Sequence, residues 1–211
     1  MAVGLLGVAR LSVPEGAGPR ILWNASASVP RGLYVRTGDP WTVGSLVAAC
    51  PPTEVAMRGK ERGYFLPGSV CPGGVAPLLK KVAAVAGARV EVVEGALVVE
   101  GRPWPGGWVR NEDSHGRPVP RLGTFPYVLR EGEVLLLAEH PGSFDGRYFG
   151  PVEVRAVLGV YRPVGIWGRA LIPSPSPASG RRGPEVDSEP QPGEGRGRPR
   201  PLAGEGRGEG R

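Results

Sequence analysis

Residues 24–34 read Asn-Ala-Ser-Ala-Ser-Val-Pro-Arg-Gly-Leu-Tyr. Two hydroxyls, Ser26 and Ser28, stand on alternate residues, and on an extended chain residues i and i+2 point to the same side. Pro30 locks its own φ and biases Val29 toward extended geometry, so Ser28 is held in a short, stiff segment. Gly32 then supplies a hinge. Such a segment suits a nucleophile with a helper: Ser26 is placed to donate a hydrogen bond to an oxygen that Ser28 attacks. The same letters also fit a polar loop of small residues. Asn24-Ala25-Ser26 fits a glycosylation acceptor as well, a pattern too short to weigh.

Working outward, the chain reads as short strands and turns. Residues 32–36 and 42–49 are expected strands, parted by the turn signal Gly38-Asp39-Pro40. Residues 89–93 and 96–99 flank Glu94-Gly95 as a hairpin. Glu133 to Ala138 is a continuous apolar run and 151–161 another strand. Residues 54–63 suit a helical turn or a surface loop. The stretches 67–77, 101–107 and 111–120 are rich in turn formers and read as loops. Helical periodicity is nearly absent, so a mostly β chain with one core is expected. The 35 glycines and 25 prolines among 211 residues agree with short strands and long loops. Beyond Gly168 the sequence runs into Pro, Gly, Arg and Glu with few apolar residues to offset ordering entropy, which predicts a disordered tail.

Composition removes several classes of function. The net charge of +6 is scattered and forms no dense basic block, so nucleic acid is not an expected partner. Two cysteines and two distant histidines lack ligand spacing, and neither a metal nor a cofactor is implied. Cys50 and Cys71 are either two small buried hydrophobes or the ends of a closed loop. Residues 1–9 are mostly apolar, but Arg10, Glu15 and Arg20 follow too soon for the ~20 apolar residues of a membrane span.

A serine hydroxyl needs a base within hydrogen-bond reach. His115 and His140 are available, though neither has an evident carboxylate partner in a triad. Pro77-Leu78-Leu79-Lys80-Lys81-Val82-Ala83-Ala84 sets two lysines in an apolar strand. Leu78, Lys80 and Val82 share one face and Leu79, Lys81 and Ala83 the other, so one lysine can be buried while its neighbour reaches water. Burial lowers a lysine pKa and frees its lone pair for base work. Alternation alone leaves open which lysine is which.

Three blocks, S-V-P-R-G-L-Y at 28–34, P-L-L-K-K-V-A-A at 77–84 and S-F-D-G-R-Y-F-G-P at 143–151, jointly resemble the type I signal peptidases, and most closely their TraF-type conjugative branch. The resemblance runs from about Asn24 to Pro163. It implies a single antiparallel β domain of signal peptidase type and a serine endopeptidase with a serine–lysine dyad. Ser28 is then the nucleophile, Lys80 the base and Ser26 an oxyanion donor. Ser143 orients the lysine, and Asp145 pairs with Arg147. It implies substrates cut after small residues, pilin or signal-peptide-bearing precursors. These would be laid along a strand edge at 32–36, with Gly32, Leu33 and Tyr34 in contact. It implies the periplasmic face of the inner membrane, with a membrane surface as partner, and there Cys50 and Cys71 are expected to be disulfide-bonded. The expected organisation is an N-terminal segment 1–23, a catalytic domain 24–168 and a tail 169–211. A membrane anchor normally precedes the serine block, so 1–23 reads as a truncated or lost anchor, or as the result of a misplaced start. Two departures stand out: Gly146 where serine is usual, and Ala86-Gly87-Ala88 where Pro-Gly-Asp is usual. The competing expectation is a catalytically silent β module that binds extended peptides in a conjugation or secretion apparatus.

Overall fold

The computed structural model describes residues 18–167. The expected anchor region up to residue 17 and the expected tail lie outside them. The elements in chain order are β1 (Ile21–Asn24), β2 (Gly32–Thr37), β3 (Leu46–Ala49), α1 (Thr53–Glu61), β4 (Pro67–Cys71), β5 (Leu78–Val85), β6 (Arg89–Val93), β7 (Ala96–Val99), β8 (Arg102–Trp108), β9 (Tyr127–Val128), β10 (Glu133–Leu137), α2 (Gly146–Phe149), β11 (Val152–Glu153) and β12 (Val157–Ile166). A seven-stranded sheet has the order β1-β2-β12-β3-β5-β10-β11 and a four-stranded sheet the order β8-β7-β6-β9. The pairings are antiparallel, as expected of a mostly β domain.

Local chemistry explains the elements. Glu94 and Gly95 take φ of 50° and 79°, the left-handed pair that a two-residue hairpin between twisted strands requires. Val134 to Leu137 of β10 are all buried, which is why that strand reads as an unbroken apolar run. Residues 102–108 form a strand where a loop was expected. β8 lies on a sheet edge, so Pro103 and Pro105 are tolerated there. Residues 54–63 resolve into α1, with Val55, Ala56 and Gly59 buried. A Cβ on Gly59 would lie 2.4 Å from the Phe65 ring, so this glycine lets the aromatic pack against the helix. The expected strand 151–161 is broken by a 3-10 turn at Val154–Ala156, and β12 continues to Ile166. Ahead of Asn24, Ile21–Trp23 already pair with β2, Ile21 opposite Val35 and Trp23 opposite Leu33.

The expected single core divides into three clusters. Trp41, Val47, Val82 and Phe144 belong to the largest. Val90, Leu97, Leu135 and Leu137 join the two sheets. Val29, Tyr34, Ala48, Leu79 and Tyr161 lie under the serine loop. Cys50 and Cys71 are disulfide-bonded, with Cα atoms 5.3 Å apart, and tie the approach to α1 to the end of β4.

One expectation is overturned. Gly32 to Arg36 is not an open edge: β2 is paired on one side to β1 and on the other to β12. Its ladder groups are used within the sheet, so it cannot accept a substrate strand. Tyr34 is 1% exposed and donates its hydroxyl to the Pro30 carbonyl at 2.6 Å. A Cβ on Gly32 would come within 2.2 Å of the Gly165 carbonyl oxygen, so this glycine permits the close approach of β12. Gly32, Leu33 and Tyr34 support the serine loop from below.

Candidate active site

Ser28 lies on the loop between β1 and β2, and the loop is held by Asn24. This side chain, only 8% exposed, donates through Nδ2 to the carbonyls of Ser26 (3.0 Å), Val29 (3.1 Å) and Pro30 (3.1 Å). Its Oδ1 accepts from the Ser26 N–H at 3.2 Å and from the Ser26 hydroxyl at 2.8 Å. Asn24 was not foreseen as a site residue. Its one visible signal is an amide-bearing side chain at the end of a strand before a small-residue loop, which is common among turns of no functional interest.

Two further blocks converge on Ser28. The Ser28 and Ser143 hydroxyls are 3.2 Å apart and hydrogen-bonded. Lys80 lines the same cavity, about 290 Å³ in volume. Strand alternation resolves as one buried and one exposed lysine: Lys80 is 4% exposed, whereas Lys81 reaches water and pairs with Glu139 at 2.6 Å. Burial pushes the Lys80 ammonium down to about 8; Asp145 pulls it up and Arg147 down, both by less. Among the described residues no hydrogen bond joins Lys80 to Ser28, whose hydroxyl is engaged by Ser143.

Asp145 and Arg147 form a fully buried ion pair with Nε to Oδ1 at 2.8 Å. The carboxylate also accepts from the backbone N–H groups of Ala138 (2.9 Å) and Arg147 (3.2 Å). The guanidinium donates to the carbonyls of Gly106 and Ala138. Every charged atom is thus partnered, which is what makes so buried a pair tolerable. The pair closes residues 138–147 into a rigid loop that carries Ser143. Gly146, where serine is usual, is tightly enclosed: a Cβ there would lie 2.9 Å from the Leu136 carbonyl oxygen.

The free edge in this region belongs to β5. Val82 exchanges backbone hydrogen bonds with Ser45 and Gly44, so Val82, and by alternation Lys80, turns its backbone toward β3. Leu79 and Lys81 face the other way. Lys81 meets Leu137 of β10, where that pairing ends, so that among the described residues the N–H and C=O of Leu79 lie on an unpaired edge beside the cavity.

A rim was also missed in the sequence. The Tyr64 hydroxyl donates to Asp113 at 2.7 Å, and Arg117 reaches both Asp113 and the Arg62 carbonyl. Burial would raise the Asp113 carboxyl, but hydrogen bonds from Tyr64, Arg117 and the His115 backbone outweigh it and hold the group well below the usual carboxylate range. Of the two histidines, His115 sits exposed on this rim, while His140 lines the cavity. Burial and then the charges of Arg110, Arg147 and Lys80 lower the His140 pKa. Neither imidazole has a hydrogen bond to a carboxylate among the described residues; His115 reaches Asp113 through its backbone N–H alone.

The family described as signal peptidase, peptidase S26, matches residues 2–166, a span that contains every one of these groups. The chain belongs to that family. Within the peptidase S26 family it is similar to a plasmid transfer protein TraF of Escherichia coli, with 39% identity over 146 residues, covering 68% of this chain and 82% of the relative. A probable conjugal transfer protein TraF of Sinorhizobium fredii (strain NBRC 101917 / NGR234) is 40% identical over 171 residues, covering 76% and 88%. A crystal structure of a signal peptidase I from Enterococcus faecalis V583 aligns with a TM-score of 0.33 and 18% identity over 58% of this chain and 97% of that one, too slight a likeness to argue from.

Proposed function

We propose that the chain is a serine endopeptidase in which Ser28 is the nucleophile and Lys80 the general base. One observation carries this reading: the single buried lysine of the β5 pair shares a cavity with Ser28 and is pushed down to about 8. At pH 7 about 9% of such a lysine is neutral, against roughly one in three thousand at the ordinary lysine pKa. Neutral Lys80 Nζ takes the Ser28 proton as Oγ bonds to the peptide carbonyl carbon. The resulting oxyanion is met by the Ser28 N–H and by the Ser26 hydroxyl once it turns from Asn24, each such donor being worth about 3 kcal/mol. Collapse breaks the C–N bond, the Lys80 ammonium protonates the leaving amine, and Lys80 then activates water or an amine against the acyl-enzyme. Ser143 and the Asp145–Arg147 loop keep this arrangement in place.

The substrate is an extended polypeptide that adds to the open edge of β5 at Leu79, with recognition by β-augmentation moved there from β2. Membership of the peptidase S26 family and the conjugal-transfer names of its relatives support pilin or signal-peptide-bearing precursors as the class, cut after small residues at the periplasmic face of a membrane.

A second reading, a peptide-binding module without catalysis, is favoured by the resting hydrogen bonds, since Ser28 engages Ser143 and Ser26 engages Asn24. Both are tested by incubating the full chain in detergent with a precursor-like peptide carrying Ala-X-Ala. The peptidase reading expects cleavage that falls at least about a thousandfold in both Ser28→Ala and Lys80→Ala. Tight binding with no cleavage by the wild type sinks it in favour of the module. Cleavage surviving Lys80→Ala returns the base to His140.

A further inference from the structure

One cation at the cavity has no role in this chemistry. Arg110 lines the cavity, is exposed, and forms no ion pair or side-chain hydrogen bond among the described residues. Its backbone is nonetheless fixed. The Arg110 N–H donates to the Tyr148 hydroxyl at 3.1 Å, and the Val109 N–H to the Gly95 carbonyl at 2.8 Å. Tyr148 is buried and stacks on Phe144, the neighbour of Ser143. A guanidinium without a side-chain partner among the described residues thus stands on a fixed backbone at the cavity that Ser28 also lines.

His140 complements it. Its Nδ1 accepts from the Gly142 N–H at 3.1 Å, which leaves Nε2 as the protonated, donating nitrogen. Besides burial, the charges that bear on His140 among the described residues are Arg110, Arg147 and Lys80, all positive. Arg147 is internally neutralised by Asp145, and Lys80 is reserved for the serine. Elsewhere on the rim, Asp113 is satisfied by Tyr64 and Arg117, and Glu112 would repel an acidic chain from its own end of the loop. The Arg110–His140 side therefore offers a bidentate cation and a neutral donor with no internal acceptor, the donor set that fits a carboxylate.

We propose that Arg110, assisted by His140, selects substrates carrying an acidic side chain close to the bond being cut. The inference takes its substrate class from the peptidase reading, but its test does not depend on turnover. Three matched fluorescent peptides carry Glu, Gln or Lys, placed in turn at each position flanking the scissile bond. Affinity is read by fluorescence anisotropy on the full chain with Ser28→Ala, with and without Arg110→Glu. At one flanking position the Glu peptide is expected to bind about five- to tenfold tighter than the Lys peptide at low salt, with the advantage shrinking at high salt. Arg110→Glu, a surface change with no packing to lose, is expected to invert the order. Equal affinities at every position overturn the proposal, as does a preference that survives Arg110→Glu or a uniform loss of binding to all three peptides. Cleavage of the Gln peptide by wild type reports on the peptidase reading separately. If it fails while the inversion holds, Arg110 selects ligands for a binding module.

Discussion

Replacing Lys80 with methionine should make the protein more stable while abolishing its activity. The side chain is 4% exposed, and a fall of its pKa from 10.5 to about 8 means the folded state disfavours the charged form. At ~1.36 kcal/mol per pH unit the penalty is about 3 kcal/mol wherever both states are protonated, that is, below pH 8. Between pH 8 and 10.5 the unfolded chain binds more protons than the folded one, so stability rises with pH and the penalty drains away. Methionine has nearly the same volume and no charge to desolvate. Lys80→Met is therefore expected to gain about 3 kcal/mol at pH 7, about 6–12 °C in Tm for a chain of this size, and less than half of that gain at pH 9.5. Urea titrations of both proteins at the two pH values measure the difference, and other titrating groups cancel. No gain at pH 7, or a gain that does not shrink at pH 9.5, would refute the claim that burial holds this lysine partly neutral.

Three further outcomes follow from the same geometry. With precursor-like peptide, kcat/KM should rise nearly tenfold per pH unit below a midpoint near 8 and level off above it, since neutral Lys80 grows from about 1% at pH 6 to about 90% at pH 9. Asn24→Ala removes five hydrogen bonds from the serine loop. It should cost about 1–3 kcal/mol by thermal melting and lower kcat more than it raises KM, because Ser28 loses its position. Lys81→Ala, by contrast, breaks only a solvent-exposed pair with Glu139, and both stability and turnover should stay within a few tenths of a kcal/mol of wild type.

How much of this was legible from sequence depends on whether the cause was local. The apolar run 133–138, the Glu94-Gly95 hairpin and the scarcity of helical periodicity are local, and the strands follow them. The two faces of β5 were legible, but which lysine is buried depends on what packs over each face, and Phe144 and Val47 come from distant parts of the chain. The edge at residues 32–36 failed for the same reason. An alternating strand looks alike whether it has one partner or two, and β12, which occupies the second side of β2, lies more than a hundred residues away. β8 misled in the opposite sense, since two prolines mask a strand unless its edge position is known. Asn24 was hidden because five hydrogen bonds from one amide are a property of a folded loop, not of a residue type.

The Asp145–Arg147 pair ties buried Lys80, the proposed base, to the rest of the fold. Asp145 raises the Lys80 pKa and Arg147 lowers it, and both effects are smaller than that of burial. Were Asp145 unpaired, its charge would favour the protonated lysine and remove the base from use at neutral pH. Arg147 therefore does more than close the loop at 138–147: it offsets in part the carboxylate that, among the described residues, favours a charged Lys80. Arg147→Met should destabilise the protein by about 3–5 kcal/mol, as removal of one partner of a buried pair does. In the molecules that remain folded, the midpoint of the pH–rate profile should move above 8 while the plateau at high pH is still approached. A purely structural role for Arg147 would lower the amplitude and leave the midpoint where it is. A midpoint that stays put, or falls, would mean that Asp145 does not act on Lys80 electrostatically and that burial alone sets the base.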